Sequence, residues 1–188
     1  MQQPGHRSPA PAPLTLVQDL VNTLDVESGQ DALATADGLE GFLAAQGLAR
    51  LRPGPSDLPA VRELREALRA VCLAHTGTDV PPETTAVLDR LLAGAPLVLA
   101  IDAAGNASPR PAAGLTGAAA LTAEIAAGIA TAVADGTWPR LKACLADNCR
   151  WVYYDRSPAG RSRWCTMAVC GSRAKMRAYR ANRARRGA

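Results

Sequence analysis

Four cysteines, Cys144, Cys149, Cys165 and Cys170, fall in two pairs near the end of a 188-residue chain. Each pair is spaced C-x4-C, and fifteen residues separate the pairs. Thiolates are soft ligands, and two pairs on tight turns can enclose a tetrahedral zinc ion without a large core. Four cysteines close the coordination shell, so such an ion is structural and leaves no open position for a catalytic water. Two other readings use the same atoms. Disulfides require an oxidising compartment, and no secretion signal is present to place the chain in one. An iron–sulfur cluster takes thiolates too, but its ligand runs are spaced differently. Thiolate chemistry and spacing favour one structural Zn2+. Cys72 stands apart on an apolar helical stripe, where a free cysteine packs as a small hydrophobe.

The second chemistry is charge. From Cys170 onward the chain runs CGSRAKMRAYRANRARR. On a helix Arg173, Arg177 and Arg180 fall at i, i+4 and i+7, a single cationic stripe. Lys175, Arg183, Arg185 and Arg186 widen it, and Arg161 and Arg163 add charge just ahead of Cys165. Ser172 is expected to cap this helix, and Met176 and Tyr179 to pack on the zinc module. Like charges on one helix face repel by a few tenths of a kcal/mol per pair, a cost that a polyanion offsets. The arginine fork suits phosphate oxygens and guanine edges. DNA is the expected partner. A solvated tail, or binding to an acidic protein or a membrane surface, are the competing readings.

The charge is unevenly placed. Residues 1–137 carry 8 Lys/Arg against 15 Asp/Glu, whereas residues 138–188 carry 13 against 2. An acidic body is thus joined to a basic module, with the break near Gly136 to Pro139.

The elements that position these groups follow from apolar spacing. Helices are expected over 14–24, from a capping-box start at Asp37 and Glu40 to Gly47, over 58–74, over 83–92 with Val87, Leu88, Leu91 and Leu92 buried, and over 116–134. The last presents Leu121, Ile125, Ile129 and Val133. On the 58–74 helix, Arg62, Glu63, Arg65, Glu66 and Arg69 form an outer, solvated face. PLVLAID followed by Asp102-Ala-Ala-Gly-Asn predicts a strand and turn. Between the cysteine pairs, WVYYD predicts a strand and SPAGR a turn. Residues 1–13 look like a disordered leader. The alanine-rich 112–134 stretch approaches membrane-span length without the hydrophobicity, and is expected to be a buried helix.

The stretch from Cys144 to Arg180, with SRWC-x4-CGSRAK at its centre, resembles the CGNR-type zinc finger of bacterial proteins. LVQDLVNTLD, from Leu16 to Asp25, resembles the start of the ABATE domain that usually precedes that finger. The resemblance implies a transcriptional regulator, sometimes described as stress-induced, with zinc held by Cys144, Cys149, Cys165 and Cys170. The name motif of that finger has Asn where this chain has Ser172.

Asp19, Asn22 and Asp25 form a polar cluster on the first helix, read as capping or solvated groups rather than acid–base catalysts. Neither His6 nor His75 has a catalytic partner, and no phosphate loop or nucleophile motif appears. The expectation is a mainly α (α+β) protein: a helical ABATE-like domain over 14–137 with one short hairpin, then a four-cysteine zinc module with a basic C-terminal helix over 138–188. Its expected role is that of a cytoplasmic, nucleoid-associated, non-enzymatic regulator that binds DNA. The alternative is a zinc-stabilised adaptor for RNA or an acidic protein. A homodimer would suit paired half-sites, although no coiled-coil pattern announces one.

Overall fold

Among the described residues the chain forms six α-helices and two antiparallel hairpins. The computed structural model describes residues 7–186, the last of them by its backbone alone. Helix α1 (Ala12–Val21) begins with Pro13 in its first turn, where the missing N–H costs nothing, and buries Leu14, Val17, Leu20 and Val21 completely. Helix α2 (Ala36–Ala45) starts slightly earlier than its Asp37–Glu40 pair suggests. Thr35 is the cap, and its Oγ1 accepts from Gly38 N at 3.2 Å. Helix α3 (Leu58–Ala74) buries Val61, Leu64, Leu68 and Cys72.

Helix α4 (Pro82–Ala93) is only a partial contributor to the core. Val87, Leu88 and Leu91 are half-buried and Leu92 is exposed, because the helix lies at the rim rather than between layers. Strands β1 (Leu97–Ile101) and β2 (Ala107–Pro111) form an antiparallel hairpin. Helix α5 (Gly117–Ala134) is long and apolar enough to cross a membrane by length and composition. Here it is the central helix of the core, packed on α1, α3, α4 and β2, with Leu121 and Ile125 buried. Val133, placed on the buried stripe by its spacing, is exposed in the last turn. Gly128 lets α5 cross the start of α1: a Cβ there would lie 2.2 Å from Pro13 O.

Strand β3 (Leu141–Ala143) pairs antiparallel with β4 (Val152–Tyr154), and helix α6 (Ser172–Arg186) closes the described chain. The charge break near Gly136 is not a break in packing. Leu141, Ala143, Val152 and Tyr154 belong to the same buried cluster as Leu20, Leu64, Leu68 and Leu121.

Two further expectations are corrected. Arg65 and Arg69 are not on a solvated face: they are 4% and 7% exposed. Arg65 grips Asp31 with two nitrogens, at 2.6 and 3.0 Å, while Arg69 donates to the carbonyls of Val21 (2.8 Å) and Arg150 (3.1 Å). Arg65 is neutralised by a carboxylate, and the Arg69 fork satisfies backbone oxygens left over at the end of α1 and in the cysteine loop, which is why buried arginine is tolerated. Nor are residues 7–13 a free leader. Arg7 donates to Cys165 O at 2.5 Å and stacks over the Tyr153 ring at 4.6 Å, and Ala10 is buried. Residues 1–6, with His6, lie outside the described residues.

Candidate metal centre and basic helix

Each cysteine pair sits on a turn at the end of an element. Cys144 directly follows β3, and its N–H donates to Trp151 O at 2.9 Å across the hairpin. The chain then reverses through bonds from Cys149 N and Arg150 N to Ala146 O, with Arg150 in the left-handed region at φ 53°. Cys165 precedes a single π-helical turn (Met167–Gly171) that holds Cys170 and runs straight into α6. The cap of this combined helix is Thr166, whose Oγ1 accepts from Val169 N at 3.2 Å. Ser172 is therefore not a cap. It already has helical backbone angles, and its hydroxyl donates back to Met167 O at 3.1 Å.

The four sulfurs converge, all within 4.8 Å of one another. Cys165 Sγ lies 3.6 Å from both Cys149 Sγ and Cys170 Sγ. A tetrahedron with metal–sulfur bonds of about 2.3 Å has edges of about 3.8 Å, so the spacing fits zinc and is far too long for disulfides. Backbone N–H groups of Cys165 and Ala146 support Cys144 Sγ, and that of Trp151 supports Cys149 Sγ. Such donors orient and stabilise metal-bound thiolates.

The ionisation of the cluster points the same way. Hydrogen bonds from Cys149 and Cys165 pull Cys144 down to about 2, whereas its own bond with Cys144 pushes Cys149 up to about 12. Cys165 is pushed up by its bonds to Cys144 and Cys149, and Cys170 chiefly by burial. Four sulfurs this close cannot ionise together without a cation among them. Zn2+ supplies that charge and the cross-link between the two turns; the protein supplies the four donors and their backbone supports.

A buried polar knot holds the long loop between the pairs. Asp155 is fully buried and accepts from Lys142 Nζ (3.2 Å), Ser162 N (2.8 Å) and both the N–H and hydroxyl of Ser157 (3.0 and 2.7 Å). Burial raises its pKa, but these donors outweigh burial and hold it well below the usual carboxylate range. Lys142 also donates to Gly160 O at 2.5 Å, and Tyr153 donates to Ser162 O at 2.9 Å. The SPAGR turn is thereby fixed beside the metal centre.

A family model for the CGNR zinc finger matches residues 140–183, and one for ABATE matches residues 14–136. The chain belongs to the ABATE family. That family is described as "Putative stress-induced transcription regulator", and neither it nor the CGNR finger is an enzyme family. No curated protein matches this ABATE chain. Together with the converging sulfurs, the finger match establishes one structural zinc.

Around this centre, Arg161, Arg163, Lys175, Arg177, Arg180, Arg183 and Arg185 carry the positive charge, all of them exposed. Helix α6 carries no acidic residue, and among the described residues none of these seven has an ion-pair partner. Arg173 differs, since its Nη1 lies 2.7 Å from Glu27 Oε1 of the body. The side chain of Arg186 lies outside the described residues. Met176 and Tyr179 do not pack on the zinc module. They are 49% and 59% exposed, and Met176 lines an open groove with Val169, Ser172, Arg173, Arg177 and Arg180.

Of the polar cluster, Asp19 lies on α1 and Asp25 caps the turn beyond it, while Asn22 at the helix end has a structural role that sequence spacing did not disclose. Asn22 binds the backbone of Val152, Asp19 accepts from Gln46 Nε2 at 3.0 Å, and Asp25 accepts from Ser28 Oγ at 2.8 Å and Glu27 N at 2.9 Å. No signal in the sequence identifies Val152 as the partner of Asn22, 130 residues away.

Proposed function

We propose that this protein is a non-enzymatic transcription regulator of the cytoplasm and nucleoid that binds DNA through its zinc module, with the helical body as a sensing or dimerisation platform. The observation that carries this reading is α6: a helix without carboxylates, largely exposed, projecting from a metal-braced base. Unpaired arginines at this density release counterions when they meet phosphates, and that release is the main source of non-specific nucleic-acid affinity. Cys144, Cys149, Cys165 and Cys170 would fix the direction of α6, because Cys170 lies in the turn that leads into it. Arg177, Arg180, Arg183, Arg185 and Lys175 would contact the duplex, with Arg161 and Arg163 reaching the backbone from the loop and Arg173 and Arg186 extending the same surface.

Fluorescence anisotropy of the zinc-loaded protein on duplex DNA across a salt series tests the reading. Affinity should fall steeply with salt and should weaken after chelation. Equal or tighter binding to single-stranded RNA would favour the adaptor alternative; no binding to either nucleic acid at low salt would overturn the DNA reading and leave only an adaptor for an acidic protein.

A further inference from the structure

The two outer edges of the β1–β2 hairpin are chemically unlike. The register sets Leu97 opposite Pro111, Leu99 opposite Pro109 and Ile101 opposite Ala107. Asp102 N donates to Asn106 O and Ala112 N to Pro96 O, each at 3.0 Å. In an antiparallel ladder bonded pairs alternate with non-bonded ones, so the even-numbered residues of β1 bond inward and the odd-numbered ones turn their N–H and C=O groups outward. On β2 the outward positions include Pro109 and Pro111, which have no N–H to give, and that edge is closed to further strands. On β1 the outward positions are Leu97, Leu99 and Ile101. Among the described residues no backbone or side-chain group bonds to them from outside the hairpin.

The open edge is also apolar. Its sequence is LVLAI, without a charge, and Leu99 and Ile101 are 69% and 70% exposed. Soluble proteins usually blunt such an edge with lysine, proline or a bulge. This chain blunts one edge of the hairpin and leaves the other.

We infer that β1 pairs antiparallel with β1 of a second copy of this chain, about a two-fold axis at Leu99, to form a continuous four-stranded sheet. The segment is self-complementary in that arrangement. Leu99 faces Leu99, Leu97 faces Ile101, and each facing pair exchanges both N–H···O=C bonds. Asp102 falls opposite Pro96 rather than opposite another carboxylate, so no like charges meet. No charge along the edge selects a foreign strand over an identical one. The proline-closed edge of β2 then stops growth: two copies consume both open edges, and assembly ends at a closed dimer rather than a filament. This dimer does not depend on the nucleic-acid reading, and it is measured without nucleic acid.

Analytical ultracentrifugation of the zinc-loaded full chain over a concentration series tests the inference. The wild type should sediment as a dimer. Leu99→Lys and Leu99→Glu each place like charges on the axis and should raise the dimer Kd about a hundredfold. An equimolar mixture of the two variants should recover the dimer, a result that misfolded chains would not give. Ala107→Lys, on the closed edge, should leave dimerisation unchanged. A wild type that stays monomeric, a dimer indifferent to Leu99→Lys, a mixture that fails to pair, or growth beyond two copies would each overturn the inference.

Discussion

Asn22 satisfies both backbone groups of Val152: its Nδ2 donates to the carbonyl and its Oδ1 accepts from the amide, each at 2.8 Å. One side chain at the end of α1 thus stands in for a third strand beside β4. Gln18, also buried, adds a bond from Nε2 to the same carbonyl at 3.2 Å. Asn22→Ala strands a buried donor and weakens a buried acceptor, and should cost about 2–4 kcal/mol in denaturant unfolding of the zinc-loaded protein. A loss below about 1 kcal/mol would mean that water replaces the amide there.

Metal removal should act locally rather than globally. Metal analysis should find one zinc per chain, and Cys170→Ser should lower the amount retained. After chelation, hydrogen exchange should speed up over residues 144–171, where the thiolates hold two turns together. Amides of α3 and α5 should keep their protection, since the apolar residues of β3 and β4 remain buried against them. Uniform loss of protection throughout the chain would refute this division.

His75 links stability to pH. Burial lowers its pKa below the ordinary 6.5, and the nearby Lys142 charge acts in the same direction, against a bond to Leu141 O at 2.7 Å that raises it. A carbonyl can only accept, so Nδ1 carries the proton in the neutral ring. The folded state binds a proton less readily than the unfolded state. Its contribution is therefore complete above the unfolded pKa of about 6.5 and is lost as pH falls through the lower folded value. The unfolding free energy of the wild type should decline over that window more than that of His75→Gln. Parallel pH profiles would show that the ring is not the titrating group.

The arginines of α6 should separate into two classes on DNA. Arg177→Ala and Arg180→Ala should each weaken binding on all duplex sequences alike and reduce the salt slope by about one. Arg173 already has a carboxylate partner, so Glu27→Gln should tighten binding by releasing it. That gain should vanish in the Glu27→Gln, Arg173→Ala double variant. Tightening that persists in the double variant would point to removal of a negative charge rather than release of Arg173.

The helices were legible because an amphipathic stripe is a local property, and the ends of α3 and α5 fall within a residue of where the apolar spacing stops. The cysteine pairs were legible for a similar reason: metal ligation fixes residue type and spacing together. What remained hidden depends on partners distant in sequence. Arg65 and Arg69 look like surface charges until Asp31 and the free carbonyls at the end of α1 are placed beside them. Ser172 looks like a cap until Thr166 is seen to start the helix more than a turn earlier. Asp57 shows the same limit, since it stands in the loop before α3 yet accepts from Ala118 N at 3.0 Å and so serves the first turn of α5.

The core shared across the charge boundary also sets an order for synthesis. When the first 136 residues have left the ribosome, every helix of the body is present, yet one wall of their core is still missing. Leu20, Leu64 and Leu121 belong to a cluster completed only by Leu141, Ala143, Val152 and Tyr154. The nascent body must hold an open apolar groove until β4 emerges, the kind of surface on which chaperones act. Because β3 and β4 enclose the first cysteine pair, filling that groove also presents two thiols in place, and the second pair arrives to a half-built cage. Completion of the metal centre thus follows the closing of this core, because Cys165 and Cys170 lie beyond β4 in the chain.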